Sequence, residues 1–124
     1  MVKSANTTPV SALERGLLIL DILATSETAL GVTEIARRLS VNKGTAHRLL
    51  VTLRKHGYVT QEAETSRYLL SYRLLELSDC LLKRLGLVEV ANPVLKELVA
   101  QTNETAHLAV FMSNKVIYVD QEES

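Results

Sequence analysis

From Leu13 to Ala24 apolar residues recur so densely that a helix here would be apolar on nearly every side. Leu13, Leu17, Leu20 and Ala24 make one stripe, and Leu18, Ile19, Ile22 and Leu23 fill most of the rest. One small domain rarely covers a helix all round, so part of this surface is expected to pack on another chain. Ser11 and Glu14, just ahead, have capping-box spacing, in which hydroxyl and carboxylate each satisfy a backbone donor of the first turn. The ten residues before them, with Ser4, Asn6, Thr7, Thr8 and Pro9, offer little to bury and are read as a disordered arm, residues 1–10.

The polar residues Thr25, Ser26, Glu27 and Thr28, with Gly31, mark a loop. After it Thr33 is placed to cap a short helix to Leu39, whose inner face is Ile35, Ala36 and Leu39. Ser40, Val41 and Asn42 make a turn, and Asn42 suits the N-cap of a longer helix that continues to about His56. Gly57 then stops it in a left-handed conformation. Short helix, turn and longer helix form a helix-turn-helix. Next the period changes: Tyr58 to Gln61 and Arg67 to Leu70 read as strands around the polar residues Glu62 to Ser66, a β-wing whose tip has neither Gly nor Asn.

Leu74, Leu77, Leu81 and Leu85 return to helical spacing, with Lys83 and Arg84 in the last turn and Gly86 as the stop; this helix, residues 72–86, is read as a linker that also packs. A helix around Val88 to Thr102, with Pro93 in its first turns, and strands at Thr105 to Met112 and Val116 to Asp120 complete the chain. One helix and one hairpin are too little for independent stability, so residues 87–124 are expected to be the truncated start of an α/β domain. The fold class is therefore mainly α with a small β-wing, a winged helix-turn-helix over residues 11–71 followed by the linker helix and that partial second domain.

The helix from Lys43 to His56 separates its faces cleanly at 100° per residue. Ala46, Leu49, Leu50 and Leu53 point inward, while Gly44, Arg48, Val51 and Lys55 face out, flanked by Thr45, His47 and Thr52. On a bare helix such a face would be read as solvated. Behind a helix-turn-helix turn and ahead of a wing it reads as a surface for the DNA major groove. Arg and Lys donate to guanine edges or phosphates, threonine bonds a base edge or meets a thymine methyl, and Gly44 admits close approach. The N-terminus of this helix, with its unpaired N–H groups and positive dipole, suits a phosphate. Thr33, Arg37 and Arg38 on the preceding helix could hold the backbone across the groove, and the two arginines read equally well as solvated charges. Arg67 beside the wing tip could reach a phosphate or the minor groove against the opposition of Glu62 and Glu64. His56 is explained by the dipole at its helix end.

Charge supports this reading only through its distribution. The 14 basic and 14 acidic side chains cancel overall, yet residues 1 to 75 hold ten basic against six acidic, and the remainder four against eight. The first part is thus the one suited to an anionic partner. The single cysteine, Cys80, can form no internal disulfide and is read as a buried, inert thiol. Three histidines on different elements, with no Gly-rich phosphate loop, no HExxH and no Ser/His/Asp order, point away from an enzyme, a metal site or a cofactor. No apolar run is long enough to span a bilayer and no signal peptide is evident, so a cytoplasmic protein without membrane contact is expected.

Four ordered segments, SALERGLLILDIL, TEIARRLSVNKGTAHRLLVTLRKHGYV, RYLLSYRLLELS and ETAHLAVFMSNKVIYVDQEES, resemble the isocitrate lyase regulator (IclR) family of bacterial transcription factors. Two departures touch the wing: Ser71 stands where the family has glycine, and Ala63 to Ser66 replace its glycine-bearing tip. The resemblance implies a transcriptional regulator that binds palindromic promoter DNA as a homodimer or dimer of dimers, partly through the first helix. It also implies control by a small organic effector bound in the second domain. The positions matching the family's DNA contacts are Lys43, Thr45, His47 and Arg48, with Thr33 toward the backbone; Asn42, Gly44, Thr52 and Arg67 join them as candidates from the reading above. The competing reading is a winged-helix module for protein contacts without sequence-specific DNA binding.

Overall fold

The computed structural model describes residues 11–112 and 115–124, so the arm read at residues 1–10 lies outside the described residues. The chain divides into two compact units between Leu75 and Glu76.

In the first unit, α1 (Ala12–Thr25) begins at Ser11, whose hydroxyl accepts from the Glu14 N–H at 3.0 Å. α2 (Val32–Leu39) and α3 (Lys43–Lys55) follow, and then a hairpin of β1 (Val59–Gln61) and β2 (Tyr68–Leu70), antiparallel with Thr60 opposite Leu69. The three helices and the hairpin close on Ile19, Leu23, Leu30, Ile35, Leu39, Leu50, Val59 and Tyr68. α1 contributes Ile19 and Leu23 to this core while Leu13 and Leu17 stay exposed, because α2 and α3 cover only one side of the helix. Its surplus of apolar residues thus surfaces at its N-terminal half.

Thr33 does not cap α2. The N-cap is Gly31, in extended conformation, and its carbonyl takes the first helical bond from Ile35 at 3.1 Å. The cause is long-range: Leu30 and Tyr68 exchange two backbone bonds, 3.0 and 2.7 Å, which pin the chain to the outer edge of the wing one residue earlier and force the turn into α2 at Gly31. α2 ends at Ser40, left-handed at φ 58°, with Val41 N–H reaching back to the Ala36 carbonyl. α3 ends in the same way. Gly57 sits at φ 83°, its N–H bonds Arg54 and that of Tyr58 bonds Leu53, so the last carbonyls are satisfied as the chain reverses into β1. The wing tip reaches its turn without glycine because Ser66 takes the left-handed conformation, φ 60°. Its N–H bonds the Glu62 carbonyl, and the Thr65 hydroxyl donates to the Glu62 carboxylate at 2.7 Å.

α4 (Arg73–Leu85) crosses the division. The expectation that it packs is not met, since it buries no residue and Leu77, Leu81 and Leu85 remain exposed. Cys80 lies on this helix and is exposed, correcting its reading as a buried thiol. In the second unit α5 (Leu87–Thr102) packs on the antiparallel hairpin β3 (Ala106–Met112) and β4 (Lys115–Glu122), which carries an irregularity between Leu108 and Ala109. Leu95 is its buried core residue. The fold is a winged helix-turn-helix followed by the beginning of an α/β unit.

Candidate nucleic-acid interface

α3 is seated by side chains that leave no freedom: Ala46 and Leu50 are fully buried, with Leu49 and Leu53 packed against the same core. Its start is fixed by Asn42, whose side-chain oxygen accepts from the Thr45 N–H at 2.7 Å. Lys43, Gly44, His47, Arg48 and Val51 are exposed around this anchored base. Lys43 and Gly44 occupy the first turn, where backbone N–H groups have no intrahelical acceptor. A methyl at Gly44 would meet Asn42 Oδ1 at 3.5 Å and Arg48 Nη1 at 3.6 Å, so the Arg48 side chain runs back along the helix over the glycine. Its Nη2 donates to the Thr45 hydroxyl at 3.2 Å. Arg48 is thereby held toward the helix N-terminus, and Thr45 keeps its own proton for a further bond. Positive charge, an uncovered backbone and a hydroxyl meet in one turn, which is what an acidic, hydrogen-bonding surface requires.

The other sequence candidates fall into different settings. Asn42 uses its side-chain oxygen for the cap and keeps its NH2 donors. The Thr52 hydroxyl donates to the Arg48 carbonyl at 3.1 Å, and the residue borders an apolar groove of about 440 Å³ formed with Ala12, Leu13, Gly16, Leu17 and Leu20 of α1, Leu49 and Leu53 of α3, and Tyr58. Thr33 is exposed in the first turn of α2. Arg37 and Arg38 converge on one carboxylate: Glu34 accepts from Arg37 Nε at 3.1 Å and from Arg38 Nε at 2.7 Å. Hydrogen bonds from Arg37 and then Arg38 hold the Glu34 carboxyl down at about 2. This face of α2 therefore presents one net positive charge rather than two. Arg67 is exposed beside the wing tip, its N–H bonded to the Thr65 hydroxyl at 3.2 Å.

Two residues of this region escaped the sequence reading. Arg54, in the last turn of α3, donates through Nη1 to Gln61 Oε1 on β1, and Gln61 Nε2 donates in turn to the Ser66 carbonyl at 3.0 Å. No periodicity signals this link, because it joins residues seven apart across a turn. Among the described residues no three His, Cys, Asp or Glu side chains converge to hold a metal, and no helix is long and apolar enough to cross a membrane.

Residues 12–63 match the IclR helix-turn-helix domain, and residues 80–124 match the bacterial transcriptional regulator IclR C-terminal domain. The chain belongs to the IclR family. This IclR-family chain is 36% identical over 115 residues to the HTH-type transcriptional regulator BhcR of Paracoccus denitrificans, covering 93% of itself and 41% of that relative. Among solved structures it superposes on an IclR-family transcriptional regulator from Brucella abortus with a TM-score of 0.73 at 30% identity, over 99% of this chain and 47% of the other. It is similar also to an IclR homolog from Microbacterium hydrocarbonoxydans complexed with 4-hydroxybenzoate, with a TM-score of 0.71 at 26% identity, over 91% of this chain and 47% of that one. The IclR-family chain spans less than half the length of these relatives.

Proposed function

We propose that this IclR-family chain is the DNA-reading part of a transcriptional regulator, with α3 entering the major groove and Lys43, Thr45, His47 and Arg48 meeting bases and phosphates. The observation that carries the reading is the first turn and a half of α3: an uncovered, positively charged face on a helix whose opposite side is locked into the core. Thr33 and the Arg37–Arg38–Glu34 cluster support the backbone across the groove, and Arg67 extends from the wing. The regulator acts as a dimer on a palindromic site. Leu13 and Leu17 support this, since an apolar surface at the start of α1 beside an open apolar groove suits a second copy. Residues 87–124 contribute to a domain that takes a small organic effector, in keeping with the 4-hydroxybenzoate found in one structural relative.

Selection of bound duplexes from random DNA tests the reading. The expected product is an inverted repeat whose half-sites lie about one helical turn, or a multiple of it, apart. Enrichment of no sequence by a chain that nevertheless dimerises would point to a module for protein contacts instead.

A further inference from the structure

Arg54 is an exposed cation in the last turn of α3, whose charge alone would suit a phosphate. The structure commits its guanidinium elsewhere. Its Nη1 donates to Gln61 Oε1, and the same amide donates from Nε2 to the Ser66 carbonyl at 3.0 Å. We propose that Arg54 and Gln61 are positioning residues that fix the wing tip relative to the recognition helix, and that Arg54 serves DNA binding without touching DNA; this rests on the DNA-binding reading above.

The chemistry of the link is specific. It needs one group that accepts from a cation on one side and donates to a carbonyl on the other, which a primary amide does and a carboxylate does not. It also ends on a demanding atom. Ser66 stands at φ 60°, and its carbonyl lies in the tip that carries Arg67. The remaining side-chain bonds of the tip, from Thr65 to Glu62 and from the Arg67 N–H to Thr65, are internal, shaping the turn without aiming it. The strands beneath are three residues each, and a two-stranded ribbon of that size does not hold its own direction in water. The ladder itself is anchored by buried Val59 and Tyr68 and by the Leu30–Tyr68 bonds, whereas the tip beyond it, residues 62 to 67, is tied to α3 only through Gln61, which joins Arg54 to the Ser66 carbonyl.

The test uses the full chain and the duplex it most enriches from random DNA, titrated across a range of KCl concentrations. Arg54→Met and Gln61→Ala are each expected to lose about fivefold in affinity, and the double variant no more than either alone. Gln61→Glu, which keeps the acceptor and loses the donor, should behave like Gln61→Ala. The dependence of log affinity on log salt should stay the same in all of them, since no phosphate contact is removed; loss of one contact would lower the slope by about 0.9. Without DNA, amide order parameters at Glu64 to Arg67 should fall in each variant from the rigid value of about 0.85, with the melting temperature and the α3 amides unchanged. A lowered salt slope in Arg54→Met beside an unaffected Gln61→Ala would make Arg54 a phosphate contact and overturn the proposal, as would wing-tip order unchanged in both. A wild-type chain that binds no duplex would instead remove the DNA-binding reading, and this role with it.

Discussion

Gly44 shows how much of the candidate interface depends on single atoms. It lies in the first turn of α3 at a φ any residue can adopt, and an added methyl would make only ordinary contacts with Asn42 and Arg48. Gly44→Ala should therefore stabilise the fold by about 0.5–1 kcal/mol, through lower backbone entropy in the unfolded chain. The same methyl would stand between the backbone and a bound duplex, so DNA affinity should fall as the melting temperature rises. Thermal melts beside duplex titrations separate the two effects, and a variant that gained stability without losing affinity would show that the backbone does not approach DNA here. Glu34 gives a second residue-level expectation. Its folded-state value of about 2 lies below the ordinary 4.5, so its ion pairs contribute stability fully above pH 4.5 and lose it as pH falls through about 2. Between pH 5 and 8 DNA binding should show no titration from this group. Glu34→Gln, which releases both arginines, should steepen the salt dependence of affinity if α2 lies along the phosphates.

Two helix ends and the wing turn of the first unit use left-handed residues, Ser40, Gly57 and Ser66, of which only Gly57 is a glycine. Gly57→Ala should cost about 1 kcal/mol or more from its φ of 83°, and Ser40→Gly should add stability of similar size, since serine pays for the same geometry at φ 58°. Urea unfolding measures both, and shifts of equal sign would contradict this account. These elements also show what could be read from the chain alone. α1 and α3 were legible because their caps are local: Ser11 lies three residues before Glu14, Asn42 three before Thr45, and Gly57 follows directly on α3. The start of α2 was not, because the Leu30–Tyr68 bridge that sets it spans nearly forty residues and leaves no periodic trace. The wing turn was hidden for a different reason, a serine standing in for the residue that normally marks a left-handed position. In the candidate interface the outward residues of α3 followed from helical spacing, whereas the Arg48–Thr45 and Arg54–Gln61 bonds depend on rotamers that spacing does not encode.

For the whole molecule, the two units differ in charge, with the excess of basic residues in the part that holds the helix-turn-helix. α1 leaves Leu13 75% and Leu17 54% exposed at the rim of the apolar groove, and a second copy would cover them. Leu17→Glu should leave the fold intact, because the side chain is not in the core, while converting a dimer to a monomer in sedimentation and weakening binding to a two-half-site duplex far more than to a single half-site. A wild-type chain that sediments as a monomer at tens of micromolar would contradict the dimeric reading. The central claim is that α3 reads DNA through the turn where Arg48 crosses Gly44. The most direct measurement is the affinity of wild type and Arg48→Ala for the selected duplex and for one altered at a single base pair of a half-site, across a salt series. The account predicts that Arg48→Ala loses affinity and that the penalty for the altered base pair, about 1–3 kcal/mol in wild type, shrinks. Unchanged affinity and an unchanged penalty would contradict it.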